Sequence, residues 1–285
     1  MNYSILFMGF GKGFVFVTIS VLIIGLAKFM ADRRTVEFDD DAHIDDGNLA
    51  VGLRRAGLYL GIAISLSATI GGASISFLSD LITLIADGVV ILICLFSCRY
   101  INDKIMLGNI NNDQECMKGN ASVGVVEACM YIATGFVLNG SLSGASNNLM
   151  ESVLSTLFFF ILGQFALLVF GYLYEVITPF NVRDEIKNNN LAAGIGLGGI
   201  LIALGIILRS SIEGPFTGWS TDVISFGLYA LYGIIMLLFF RIIIAKMLLP
   251  TTKLAVEIVE DKNVAALLVV ESAIIAVAII IAFSM

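Results

Sequence analysis

The sequence predicts an all-α polytopic membrane protein, with eight transmembrane helices arranged as two parallel four-helix repeats. Three observations lead there. The first is composition: 58% of the 285 residues are hydrophobic and 14% are charged, where soluble domains carry about a quarter charged residues. The second is a set of eight apolar runs, near 5–28, 49–71, 78–100, 120–142, 152–174, 190–211, 222–245 and 263–284, each long enough as a helix to cross ~30 Å of hydrocarbon. The runs are continuously apolar and do not alternate, which selects helices over a barrel, because a backbone polar group in lipid must bond within its own segment. The third is an internal repeat. With Asn48 set on Asn190, the halves stay in step from near Phe10 to near Lys118, with Gly52 on Gly194, Gly57 on Gly199, Asp80 on Asp222, Arg99 on Arg241 and Lys104 on Lys246. The repeats are 1–142 and 143–285.

Orientation follows from the basic residues, which are retained on the cytoplasmic side. Lys28, Arg33 and Arg34 lie in the first connection, Arg99, Lys104 and Lys118 in the third, Arg183 and Lys187 in the fifth, and Arg241, Lys246, Lys253 and Lys262 in the seventh. Both termini are therefore expected outside and the odd connections in the cytoplasm of a bacterial inner membrane. Four spans per repeat point the two halves the same way, unlike the inverted repeats of many transporters. The first run has no basic start and no small-residue cleavage site, and Lys12 interrupts it, so it reads as a retained helix. A formal charge of −7 without a basic cluster argues against nucleic acid. Cys94, Cys98, Cys116 and Cys129 have no neighbouring histidine, and neither a metal site nor another cofactor is expected.

Between the first two runs lies a carboxylate-rich stretch, Asp32 to Asp46. The spacing of Asp39, Asp41 and Asp45 resembles a calcium loop, but the Gly and bidentate Glu of that loop are absent from their positions. It reads as a solvated acidic loop in which His43 is exposed. Asn48, Asn120, Asn190 and Asn263 then stand at the starts of the second, fourth, sixth and eighth runs. They are expected as N-caps; the sharper alternative is an anion or lipid-headgroup site at four positive helix ends. Gly52, Gly57 and Gly61 in the second run match Gly194, Gly198, Gly199 and Ala203 in the sixth, small residues that let helix backbones approach in lipid. These two helices are expected at the centre of each repeat and at the contact between repeats.

Arg54 and Arg55 occupy positions held by Gly196 and Leu197 in the other repeat. They lie about 10 Å below the helix start at 1.5 Å per residue, a depth from which two adjacent side chains cannot both snorkel. Glu127 and Glu271 lie near the same level in the fourth and eighth runs. The expected constellation is two arginines with one glutamate from each half, either an ion-pair cluster that docks the halves or a site that handles a proton or ion. Asp87, opposite Tyr229 in the other half, is a further candidate, and Asp80 and Asp222 are expected to cap outer helix ends. Residues 139–148 read as a polar linker, Gln164 as an interhelical hydrogen-bonding group, and Trp219 as an interfacial anchor. No phosphate loop, nucleophile elbow or Ser/His pairing occurs, so no enzyme is expected.

At Ile186-Lys-Asn-Asn-Asn190-Leu-Ala-Ala-Gly194, and again at Asn263-Val-Ala-Ala, the sequence resembles the YjfL-like bacterial inner-membrane family, a domain of unknown function numbered three-fifty. In the first half Asp45-Asp46-Gly47 replaces Lys-Asn-Asn, and Arg54 and Arg55 stand where small residues are expected. The resemblance implies a tandem version of a four-helix unit. Two functional readings follow. One is translocation of a proton, ion or small solute through the Glu/Arg layer; the other is a membrane-stress scaffold whose connections recruit cytoplasmic proteins. The expected partners are the lipid bilayer, a cytoplasmic protein and a second copy of the chain, which the glycine faces suit as well as they suit internal packing.

Overall fold

The computed structural model describes residues 3–34, 39–72, 74, 76–108, 110–144, 149–250 and 252–285. Eight long apolar helices cross the membrane: α1 (Tyr3–Arg34), α3 (Leu49–Gly71), α4 (Phe77–Ile105), α6 (Ala121–Leu142), α7 (Leu149–Ile177), α9 (Leu191–Ile212), α10 (Trp219–Leu248) and α12 (Val264–Ser284). Four helices of six residues each lie between them: α2 (Asp40–Asp45), α5 (Asn112–Met117), α8 (Val182–Lys187) and α11 (Leu254–Val259). Residues 35–38, including Glu37, and residues 145–148 of the linker lie outside the described residues.

The repeating element is a quarter of the chain. Each quarter runs down a long outer helix, through a six-residue helix, and back up a shorter inner helix. The second residue before each inner helix has left-handed backbone, with φ of 81° at Gly47, 82° at Gly119, 57° at Asn189 and 47° at Lys262. This turns the chain sharply into Asn48, Asn120, Asn190 or Asn263, whose side-chain oxygen accepts a backbone N–H of the first inner turn. The asparagine amide does a second job. Asn48 donates to the carbonyls of Cys116 and Met117 (2.9 and 3.2 Å), Asn120 to those of Ile186 and Lys187 (both 3.1 Å), and Asn190 to that of Ile258 (2.7 Å). Each of these three asparagines therefore clamps the short helix of the next quarter.

The inner helices form a parallel row, α3–α6–α9–α12. A Cβ on Gly61 would lie 2.6 Å from the Tyr131 carbonyl oxygen, one on Gly135 2.7 Å from that of Gly61, and one on Gly194 2.8 Å from that of Ser122. These backbones pack with no side chain between them, the arrangement that small residues permit in lipid. The row corrects one expectation: α3 and α9 are not the contact between repeats, because α6 stands between them. Gly57 and Gly61 face Ala128 and Tyr131, while Gly194 and Gly198 face Ser122 and Cys129 on the same helix. Gly199 faces Glu271, and Gly52 has no neighbour within 4 Å of a would-be Cβ. Outer helices α4, α7 and α10 each lie against two successive inner helices.

The outer helices are longer than their apolar runs. At 29 to 32 residues they extend about 45 Å, beyond the hydrocarbon, so Lys28, Arg99, Lys104, Arg241 and Lys246 stand on helices and not in loops. Helix α6 likewise continues through Leu142 and takes in Asn139, the first residue assigned to the linker.

Candidate functional site

On the asparagine side of the first repeat, six acidic and four basic residues are drawn into one layer. Its centre is Asp40 at the start of α2. Asp39 caps that helix through the N–H groups of Asp41 and Ala42, which leaves Asp40 turned beneath α3 and 3% exposed. Arg54 reaches it at 3.1 Å and Arg55 pairs with its other oxygen. Arg55 also bonds Asp32 (2.6 Å), while Lys28 bridges Asp32 and Asp41. On the other side Arg54 bonds Asp113 (2.7 Å) and lies 3.7 Å from Glu127. Arg99 pairs with Asp113 and lies 3.7 Å from Asp103.

Two carboxylates of this layer share one donor. The Asn112 amide nitrogen bonds Asp103 at 2.8 Å and Glu127 at 3.3 Å, and the Cys116 thiol, 3.6 Å away, donates to the other Glu127 oxygen. Burial pushes that thiol well above its ordinary pKa, so it keeps its proton. The Asn112 side-chain oxygen and Arg99 Nε are buried without a hydrogen-bond partner among the described residues. Both residues line a cavity of about 20 Å³ with Asn102, Asp103, Glu127 and Tyr131, room for one water-sized guest. Deeper in the bilayer the polar contacts continue from Asn102 to Gln164 (3.4 Å) and from Gln164 to Thr134 (3.1 Å). Beyond Thr134, Val137 and Leu138 are fully buried and apolar.

The second repeat holds a smaller site. Arg241 bonds Glu271 at 3.2 Å and packs over Tyr174, 5.2 Å from its ring centre. Glu271 Oε2 and Arg241 Nη1 are buried and unpartnered among the described residues. Glu127 and Glu271 thus do not share one constellation with Arg54 and Arg55, as the sequence led us to expect. Glu127 lies seven residues past its asparagine and Glu271 eight; one residue turns a helical side chain by about 100°. Glu127 accordingly meets α3, α4 and α5, whereas Glu271 faces α9 and α10. Asp87 accepts a hydrogen bond from Thr69 (2.6 Å) at the opposite end of α3, outside the layer. Asp80 binds Lys12 (2.6 Å), and Asp222 accepts from the N–H groups of Thr217 and Gly218 ahead of α10.

The acidic stretch is not merely a solvated loop, since Asp32, Asp40 and Asp41 are engaged. Lys28, Asp32, Asp40, Asp41, Arg99, Asp103, Asn112, Asp113 and Arg241 were the members not assigned to a site from sequence. The repeat alignment carried the signal: Asp40, Arg54, Arg55, Asp103 and Asp113 stand opposite Val182, Gly196, Leu197, Ala245 and Ala255. These five charges are absent together from the second repeat, whereas Arg99 keeps its counterpart in Arg241. Around the row, the clamps are held in turn by carboxylates. Glu115 accepts from Lys118 and the Asn120 amide, and Glu257 from Thr252 and the Asn263 amide, which keeps both below the ordinary carboxylate pKa.

The chain matches the family described as Domain of Unknown Function (DUF350) twice, at residues 5–142 and 148–285. It is 27% identical to a UPF0719 transmembrane protein of Aquifex aeolicus over 82% of this chain and 84% of that one. Over 64 residues it is 34% identical to the UPF0719 inner membrane protein YjfL of Escherichia coli, covering 22% of this chain and 48% of that protein. No solved structure matches.

Proposed function

We propose a proton-handling role for this chain, which belongs to the DUF350 family and carries that family's domain twice. The observation that carries the reading is the Asn112 amide, which donates to Asp103 and Glu127 at once while its own oxygen has no donor among the described residues. A proton held between the two carboxylates relieves their repulsion. With every group ionised, Lys28, Arg54, Arg55 and Arg99 face Asp32, Asp40, Asp41, Asp103, Asp113 and Glu127, two more acids than bases. The cavity of about 20 Å³ excludes a solute, and Arg99, which lines it, disfavours a metal cation.

The concentration of basic residues on the asparagine side supports a reading with that side in the cytoplasm and both termini outside. Asp113, whose side chain is 41% exposed, touches Arg54 and Arg99 and offers the route by which the site exchanges protons with that side. The apolar packing beyond Thr134 favours a proton-linked conformational element over an open channel. Engagement of Asp32 and Asp40 within the layer leaves the recruiting reading to the exposed carboxylates of Asp39, Asp45 and Asp46. Carbodiimide labelling of native membranes, read by mass spectrometry at Asp103, Glu127 and Glu271, tests the reading. Labelling at Asp103 or Glu127 that falls as pH rises supports it; labelling of neither at any pH counts against it.

A further inference from the structure

We infer that the row of inner helices continues from one chain into the next, the α12 end of one copy docking on the α3 end of a second. Three junctions within the chain define the contact. Counted from the asparagine, α3 and α6 turn residues two, nine and thirteen to the helix that follows, and α9 turns residue nine. In α3, Ala50, Gly57 and Gly61 meet Gly124, Ala128 and Gly135; in α6, Ser122, Cys129 and Ala133 meet Gly194, Gly198 and Gly205; in α9, Gly199 meets Glu271. In α12 the same positions are Ala265, Ser272 and Ala276, and all three are exposed. The receiving positions, four, eight and fifteen, are in α3 Gly52, Ala56 and Ala63; Gly52 is half-buried with open space beside it, and the other two are exposed. Both ends of the row thus keep the small-residue surface of the internal junctions.

The polar clamp is open at the same two ends. Asn263 is bonded to Glu257 (2.8 Å), and among the described residues it reaches no carbonyl of a following short helix. The first short helix, α2, receives no asparagine amide from a preceding quarter, although the three later ones do. Its Ile44 is 37% exposed, whereas the equivalent Cys116, Ile186 and Ile258 are 0 to 1% exposed. A second copy placed as each quarter is placed on the next would set the Asn263 amide on the Ile44 and Asp45 carbonyls and bury Ile44. Such a head-to-tail contact is heterologous, so it closes into a ring or extends as a row.

The test is to co-express two differently tagged chains, one with Ser272→Cys and one with Ala56→Cys, the pairing equivalent to Cys129 against Gly198, and to oxidise them in membranes. The expected result is a covalent dimer bearing both tags, absent from either variant alone and from the unsubstituted chain. Crosslinking of Ser272→Cys chains with each other would replace head-to-tail by tail-to-tail docking and overturn the inference. So would the absence of any crosslink together with a single-chain mass for the unsubstituted protein in native mass spectrometry. Ser272→Trp, which fills an exposed position, is expected to convert the oligomer to single chains without loss of helical content; persistence of the oligomer would overturn the inference.

Discussion

At the scale of the residue, Asp40 decides whether the arginines of α3 are tolerable in a membrane. A guanidinium two turns into an apolar helix is costly unless paired, and Asp40 serves Arg54 and Arg55 together. Removing one partner from a buried pair typically costs about 3–5 kcal/mol, since the remaining charge is left uncompensated. Asp40→Val is therefore expected to lower the thermal unfolding midpoint in lipid sharply. Asp41→Ala, which removes a half-exposed partner of Lys28, should cost about 1 kcal/mol or less. Combining Asp40→Val with Arg54→Gly and Arg55→Leu installs the residues of the second repeat and should recover part of the loss. A combined variant no more stable than Asp40→Val alone would show that the layer does not act as a unit. Arg54 and Arg55 were legible in the sequence as misplaced cations. Their chief partner was not, because Asp40 sits in a run of acids whose periodicity gives no sign of which one turns inward.

At the scale of the element, the four capping asparagines are equal as caps and unequal as clamps. Asn120 accepts from the Val123 N–H and donates to two carbonyls of α8 and to Glu115. Asn263 caps α12 and donates to Glu257. Serine preserves the cap oxygen but has no amide to donate, and a net hydrogen bond contributes about 0.5–1.5 kcal/mol. Asn120→Ser is thus expected to cost more than Asn263→Ser in chains dispersed as monomers in detergent, measured by thermal unfolding; equal costs would mean that the carbonyl contacts contribute nothing. The spans and the asparagine positions could be read from hydropathy and repetition. The clamps could not, since a contact across roughly seventy residues leaves no local pattern, and the six-residue helices are too short to announce themselves by period.

At the scale of the whole molecule, duplication built a regular row and one repeat then diverged within it. The second repeat keeps Arg241 and Glu271 as a compact pair, while the first places a charged layer around Asp103, Asn112 and Glu127. Four quarters in one orientation were foreshadowed by the register of the halves and by the four asparagines. The separation of the two glutamates was hidden by the single residue that shifts Glu271 round its helix. In the role proposed above, Asp103 and Glu127 hold one proton between them. Infrared difference spectra of the protein in lipid at neutral pH, compared with Glu127→Gln and Asp103→Asn, test it most directly. A protonated-carboxyl carbonyl band is expected in the unsubstituted protein, lost or shifted in both variants. A spectrum without that band, or one that neither substitution changes, would contradict it.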